Sequence, residues 1–130
     1  MNTKILMTAS SLILGIIGLG LSFLPLEIAS YIEAGTNSIS IISFQLMGAL
    51  YLGFAMINWM SRSSIFGGIY NKPIVIGNFM HFGVGALALV KVVSEIELHQ
   101  EIFVTLTVIY SIFALSFAYV FRTNPYPSQK

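Results

Sequence analysis

The sequence predicts an all-α integral membrane protein, a bundle of four antiparallel transmembrane helices with both ends in the cytoplasm. Three observations carry that expectation. The 130 residues are 56% hydrophobic and only 8% charged, where a soluble domain carries about 25% charged residues. Four continuous apolar runs reach the roughly 20 residues needed to cross the hydrocarbon core. The few charges are sorted by sign between alternate connections, as detailed below. Continuous rather than alternating apolar runs favour helices over barrel strands, and only these two architectures satisfy the backbone in lipid. One domain, residues 1–130, is expected.

The first span runs from Ile5 to Leu24 and is closed by Pro25. Lys4 ahead of it and "EIAS" behind it faintly resemble a secretory signal, but the apolar run exceeds the usual h-region, so a retained span is expected. The connection "PLEIASYIEAGTNSIS" follows. Its Leu26, Ile28, Tyr31 and Ile32 fit either a short interfacial amphipathic helix or a partly ordered loop. The second span runs from Ser40 to Met60. The third runs from Pro73 to Val93, with proline in the first turn where its missing N–H costs nothing. The fourth runs from Ile102 to Phe121, before the breaker-rich tail "RTNPYPSQK". Short connections imply antiparallel neighbours.

Lys4, Arg62, Lys72, Arg122 and Lys130 fall on one side of such a chain, and Glu27, Glu33, Glu95, Glu97 and Glu101 on the other, with Lys91 the single basic residue there. The positive-inside rule then puts both termini in the cytoplasm. An inner-membrane location is the matching expectation. No basic patch for nucleic acid is present. The absence of cysteine excludes disulfides, thiolate metal sites and covalent c-type haem.

Lipid supplies no hydrophobic drive for helix association, so small residues that permit close approach matter. Span one has Thr8, Ser11, Gly15, Gly18 and Ser22 at spacings of three or four. Span two has Ala49 and Gly53. Span three has Gly77, His81, Gly85 and Ala88, and span four has Thr107, Ser111, Ala114 and Ala118. These stripes predict contacts within one chain or between copies.

Polar residues supply the candidate site. His81 lies on the small stripe of span three, about 12 Å in by helix rise, with Asn78 one turn away on nearly the same face. Asn58 and Arg62 share a face at the end of span two, and Asn71 precedes Pro73. Asn58, Arg62, Asn71, Asn78 and His81 are therefore expected to line a cytoplasm-facing cleft between spans two and three. Trp59, Tyr70 and Lys72 suit an interfacial anchor belt. Asn58 and Asn78 equally suit hydrogen bonds across helices. An ionisable residue inside a span is a functional candidate, so His81 has several readings: structural hydrogen bonding, contact with a lipid, quinone or other small ligand, proton transfer, or metal or haem ligation. A bis-histidine haem would need His99, which lies in the opposite connection. No carboxylate lies within a span, so no buried acid–base pair is visible. No cofactor and no metal site are expected.

The segment "GALYLGFAMINWMSR…GGIYNKPIVIGNFMHFGVGALALV", Gly48 to Val90, resembles small four-helix bacterial membrane proteins of the broad DoxX-like group. The resemblance rests on "GALYLGFA", the short basic hairpin with "GG", and a glycine-rich third span containing histidine. It covers about a third of the chain. It implies a four-helix membrane fold, and the group includes small quinone-linked oxidoreductase subunits and receptor-assembly chaperones. The asparagine–lysine hairpin followed by His-Phe is also similar to a small endoplasmic-reticulum scaffold of sterol-synthesis enzymes.

Three functions follow as expectations. The first is a non-enzymatic accessory or scaffold subunit, packed against a larger membrane partner or against itself. The second is a lipid-, quinone- or small-ligand-binding membrane protein around Asn78 and His81, with Asn58 and Arg62 at the mouth. The third is a small oligomeric channel lined by Asn and Ser side chains.

Overall fold

The computed structural model describes residues 2–63 and 71–123, and within them all regular structure is helical. The helices are α1 (Thr3–Phe23), α2 (Pro25–Tyr31), α3 (Ser38–Ser61), α4 (Lys72–Val92) and α5 (Gln100–Thr123). All except α2 are long and apolar enough to cross a membrane. At 1.5 Å per residue, 21 to 24 residues give about 31 to 36 Å, the thickness of a hydrocarbon core. The all-α class and the four spans of a multi-pass membrane protein are thus as the sequence predicts.

Helix ends follow local chemistry and shift the expected bounds by one or two residues. Asn2 Oδ1 accepts the Lys4 N–H at 3.1 Å and starts α1 two residues before Ile5. Asn37 Oδ1 accepts the Ile39 and Ser40 N–H groups at 3.0 Å each, so α3 begins at Ser38 rather than Ser40. An Asn cap of this kind satisfies N–H groups that have no partner within the helix. Pro73 occupies the first turn of α4. Glu101 in the first turn of α5 and Arg122 in its last complement the helix dipole.

The connection after α1 is a helix, α2, which resolves the choice the sequence left open. Its packed face is Pro25 and Ala29, whereas Leu26 and Tyr31 are exposed. The helix stops in a Schellman arrangement. The Ala34 N–H bonds the Ala29 carbonyl at 2.9 Å and the Glu33 N–H bonds the Ser30 carbonyl at 3.3 Å. This wrap needs a left-handed residue after the cap, and Glu33 supplies it at φ 54° without being glycine.

The chain divides into two compact units, Met7–Arg62 and Met1–Leu6 with Ser63–Lys130. In the first, α1 meets α3 through the small stripe of span one. A Cβ built on Gly18 would lie 3.0 Å from both the Gly48 carbonyl oxygen and the Leu52 backbone nitrogen. One built on Gly48 would lie 2.9 Å from the Gly18 carbonyl oxygen and 2.7 Å from the Ser22 nitrogen. Two glycines thus let two backbones touch, the close approach that replaces hydrophobic drive in lipid. α2 packs on α3 in the same unit.

The small patch expected in span two is not what α3 uses there. Gly48 and Ala55 are buried, while Ala49 and Gly53 are exposed, and nothing lies within 4 Å of a Cβ built on Gly53. The reason is rotational: Gly48 and Ala55 share the face turned to α1, and Gly53 lies on another.

In the second unit α4 packs on α5. The core is aromatic rather than a line of small residues. Phe82, fully buried, stacks on Phe113 at 4.8 Å and on Phe117 at 5.8 Å between ring centroids, and meets Tyr110 edge-on at 5.2 Å. Such pairs contribute about 0.5–1.5 kcal/mol each beyond their burial. The buried line of α4 is Val75, Asn78, Phe82 and Ala86, offset from the expected one, and Ala88 is exposed.

Candidate functional site

The five candidate polar residues fall into two groups. Asn58 and Arg62 belong to the first unit, and Asn71, Asn78 and His81 to the second.

Asn58 is fully buried. Its Nδ2 donates to Ser10 Oγ at 3.0 Å, and Ser10 Oγ donates to the Met7 carbonyl at 3.1 Å. One turn earlier on α3, the Ala55 carbonyl accepts from Ser11 Oγ at 2.7 Å. The adjacent serines thus convert one end of the α1–α3 contact into a ladder of polar bonds. Ser10 was not among the expected residues. Its signal is its place in the line Met7, Ser10, Leu14, all buried.

Arg62 turns back on its own helix. Its Nη1 donates to the Trp59 carbonyl at 2.6 Å, and the guanidinium carbon lies 3.7 Å from the centroid of the Trp59 ring. The hydrogen bond satisfies a carbonyl that the helix end leaves open, and the stacking holds the cation on an aromatic face. Trp59 is 41% exposed, in keeping with an interfacial position. The expected anchor Tyr70 lies outside the described residues, as do Gly67, Gly68 and Lys130. Lys72 and Asn71 sit at the start of α4, both half-buried, with the Asn71 carbonyl accepting the Val75 N–H at 3.1 Å.

Asn78 is fully buried, and its Nδ2 donates to the Ile74 carbonyl one turn back at 2.9 Å. A short polar side chain bonding the i−4 carbonyl is a local alternative to a distant partner. His81 is half-buried and meets α5: its Nε2 lies 3.4 Å from the Tyr110 hydroxyl, and the two ring centroids are 5.7 Å apart. At 3.4 Å this bond is long for its type.

Gly85 makes the His81–Tyr110 pair possible. A Cβ built there would lie 2.6 Å from Tyr110 Cε1 and 2.7 Å from Cδ1. The phenol ring therefore sets its Cδ1–Cε1 edge against bare backbone one turn from His81. No family model matches the chain, and neither a curated protein nor a solved structure is similar to it. The function therefore has to be read from the chain's own geometry.

Tyr110 was missed as a site residue. The available signal was the line Tyr110, Phe113, Phe117, Val120 in span four, whose spacing of three and four marks one helix face; all four are buried. Beside this cluster, α4 and α5 form an apolar groove of about 540 Å³, running from Phe79 and Met80 past Gly83 and Leu87 to Val90, with Ala114 and Leu115 across from them. Its lining carries a single polar side chain, Ser111.

Proposed function

We propose that this chain is a non-enzymatic accessory or scaffold subunit of a membrane, docking through α3 against a larger membrane partner or a second copy. The observation that carries this reading is the open face around Gly53. α3 is the least covered of the four spans, with 11% of its apolar window buried against 39% for α1. Its exposed residues Ile42, Leu46, Met56, Ile57 and Met60 recur at helical spacing about Ala49 and Gly53. A small-xxx-small pair at the centre of such a face is the arrangement by which membrane helices approach closely. The four polar groups with the deepest positions, Ser10, Ser11, Asn58 and Asn78, each bond within the chain, which favours a structural over a chemical use for them. The resemblance of Gly48–Val90 to the DoxX-like group is in keeping with an accessory role. The antiparallel order of the spans, the inner-membrane location and the cytoplasmic placement of both ends belong to the same proposal.

Because the chain has no cysteine, Gly53→Cys places a unique thiol on this face. In native membranes, a short bifunctional thiol or thiol–amine reagent is expected to convert it to a species heavier than the monomer, while Ile16→Cys on an exposed face of α1 stays monomeric. A strictly monomeric Gly53→Cys, together with no copurifying protein in mild detergent, would overturn the proposal.

A second reading, a lipid-, quinone- or small-ligand-binding protein, is favoured by one observation: the half-buried His81 ring carries a long bond to Tyr110, one that a ligand headgroup could replace. Native mass spectrometry of His81→Ala tests it. Unchanged ligand retention would remove this reading's central residue.

A further inference from the structure

We propose that the α4–α5 groove binds one phospholipid of a particular kind, zwitterionic with a free amine, its chain along the groove and its headgroup over the connection between the two helices. The groove spans Phe79 to Val90 on α4, about 17 Å by helix rise, and both helices that form it are apolar enough to lie in lipid. Its volume, about 540 Å³, falls within the range of pockets that hold small ligands. Hydrocarbon is the filling such a lining favours, and the charges at its end select the headgroup.

Lys91 follows the groove directly. It stands four residues after the groove residue Leu87, hence on the same helix face, in the last turn of α4 and exposed. It makes no ion pair with Glu95. Beyond it come the exposed carboxylates Glu95 and Glu97, while Glu101 lies 3.6 Å from His99 Nδ1. The order along the protein is therefore hydrocarbon surface, one cation, then carboxylates. A zwitterionic phospholipid has the complementary order: acyl chain, phosphate, ammonium. A headgroup with net negative charge would satisfy Lys91 but meet the carboxylates with no cation of its own. A quaternary ammonium would be attracted to them but could donate no hydrogen bond. A primary ammonium does both, and charge-assisted bonds to carboxylate are the stronger kind.

The groove has room for a side chain at Gly83. A Cβ built on Gly83 meets only the Phe79 ring, at the ordinary distance of 3.8 Å, so Gly83→Leu projects into the groove. The full chain, purified in mild detergent, is equilibrated with an equimolar mixture of phosphatidylethanolamine, phosphatidylglycerol and phosphatidylcholine of identical chains. Retained lipid is then counted by mass spectrometry. The expected result is phosphatidylethanolamine enriched over both others, falling about fivefold in Lys91→Gln, the scale of one lysine–headgroup attraction at a membrane surface. Gly83→Leu is expected to lower retention of all three. Glu95→Gln with Glu97→Gln is expected to erase the preference over phosphatidylcholine. Equal retention of the three lipids, a preference for phosphatidylglycerol, or an unchanged Lys91→Gln overturns the proposal. Lys91 lies outside the packed faces, so its variant remains readable if Gly83→Leu fails to fold. The outcome is independent of the Gly53 cross-linking.

Discussion

The Asn58 amide donates to Ser10 Oγ at 3.0 Å, joining α3 to α1 through two residues that are both fully buried. Polar bonds between membrane helices average about 0.6 kcal/mol, with a maximum near ~1.7, because the unfolded chain in the membrane also finds partners. A double-mutant cycle of Asn58→Ala and Ser10→Ala, followed by unfolding in mixed detergent, is expected to give a coupling of about that average. Strictly additive losses would mean that the bond contributes nothing of its own.

Glycine packing in the same unit should be more sensitive than this bond. Gly48→Ala would put a methyl group 2.9 Å from the Gly18 carbonyl oxygen and 2.7 Å from the Ser22 nitrogen. Backbone atoms cannot rotate away, so the helices must separate, at about 1–3 kcal/mol for an overpacked contact. Gly53→Ala, with nothing within 4 Å of the new methyl, should leave monomer stability unchanged. Thermal unfolding of the two variants side by side checks the contrast, and equal losses would contradict this description of the contact.

Ser22 gives a change of opposite sign. Its Oγ is buried beside Gly48 and makes no hydrogen bond among the described residues. A buried hydroxyl without a partner costs roughly 1–3 kcal/mol. Ser22→Ala removes that cost while keeping the Cβ, and is expected to raise the unfolding midpoint. A lowered midpoint would point to a partner for the hydroxyl.

The end of α2 offers a second stabilising change, this one through the backbone. Glu33 holds φ 54° to close the Schellman arrangement, a conformation that costs a side-chain-bearing residue about 1–2 kcal/mol. Glu33→Gly removes most of that strain, though the freer unfolded chain returns part of the gain. The expected net effect is slower amide exchange at Ala34, whose N–H bonds the Ala29 carbonyl. Faster exchange at Ala34 would show that the glutamate side chain itself holds the turn.

These cases indicate how far the sequence could be read. The four spans were legible because hydropathy over some 20 residues is a property of each segment alone. A hydrogen bond from Asn58 across helices was legible as one of its readings, since an amide facing acyl chains has no partner, and Ser10 takes it. The choice between Gly48 and Gly53 was not legible. Which small residue touches a neighbour depends on the rotation of both helices, and one helix's sequence does not contain the other's. Tyr110 escaped for a related reason: a phenol in an apolar run reads as one more aromatic until the facing glycine is known.

That glycine is Gly85, and it supports the most direct test of the His81 environment. The Tyr110 ring lies where a Cβ on Gly85 would stand, 2.6 Å from Cε1, while its hydroxyl reaches His81 Nε2 at 3.4 Å. Gly85→Ala therefore cannot be accommodated with the ring in place. Tyr110 also meets Phe82 at 5.2 Å, so displacement disturbs the aromatic core as well as the polar contact. The expected loss is about 1–3 kcal/mol, as for other overpacked sites. Tyr110→Phe keeps the ring on the glycine and removes only the hydroxyl, so it should cost less, about the 0.6 kcal/mol of an average polar bond between membrane helices. In Gly85→Ala with Tyr110→Leu, the ring edge at Gly85 is gone and much of the overpacking should be relieved. The double variant is then expected to be more stable than the sum of the two single losses predicts. Strict additivity in unfolding experiments would mean that the ring does not rest on Gly85, and the arrangement holding His81 against α5 would have to be different.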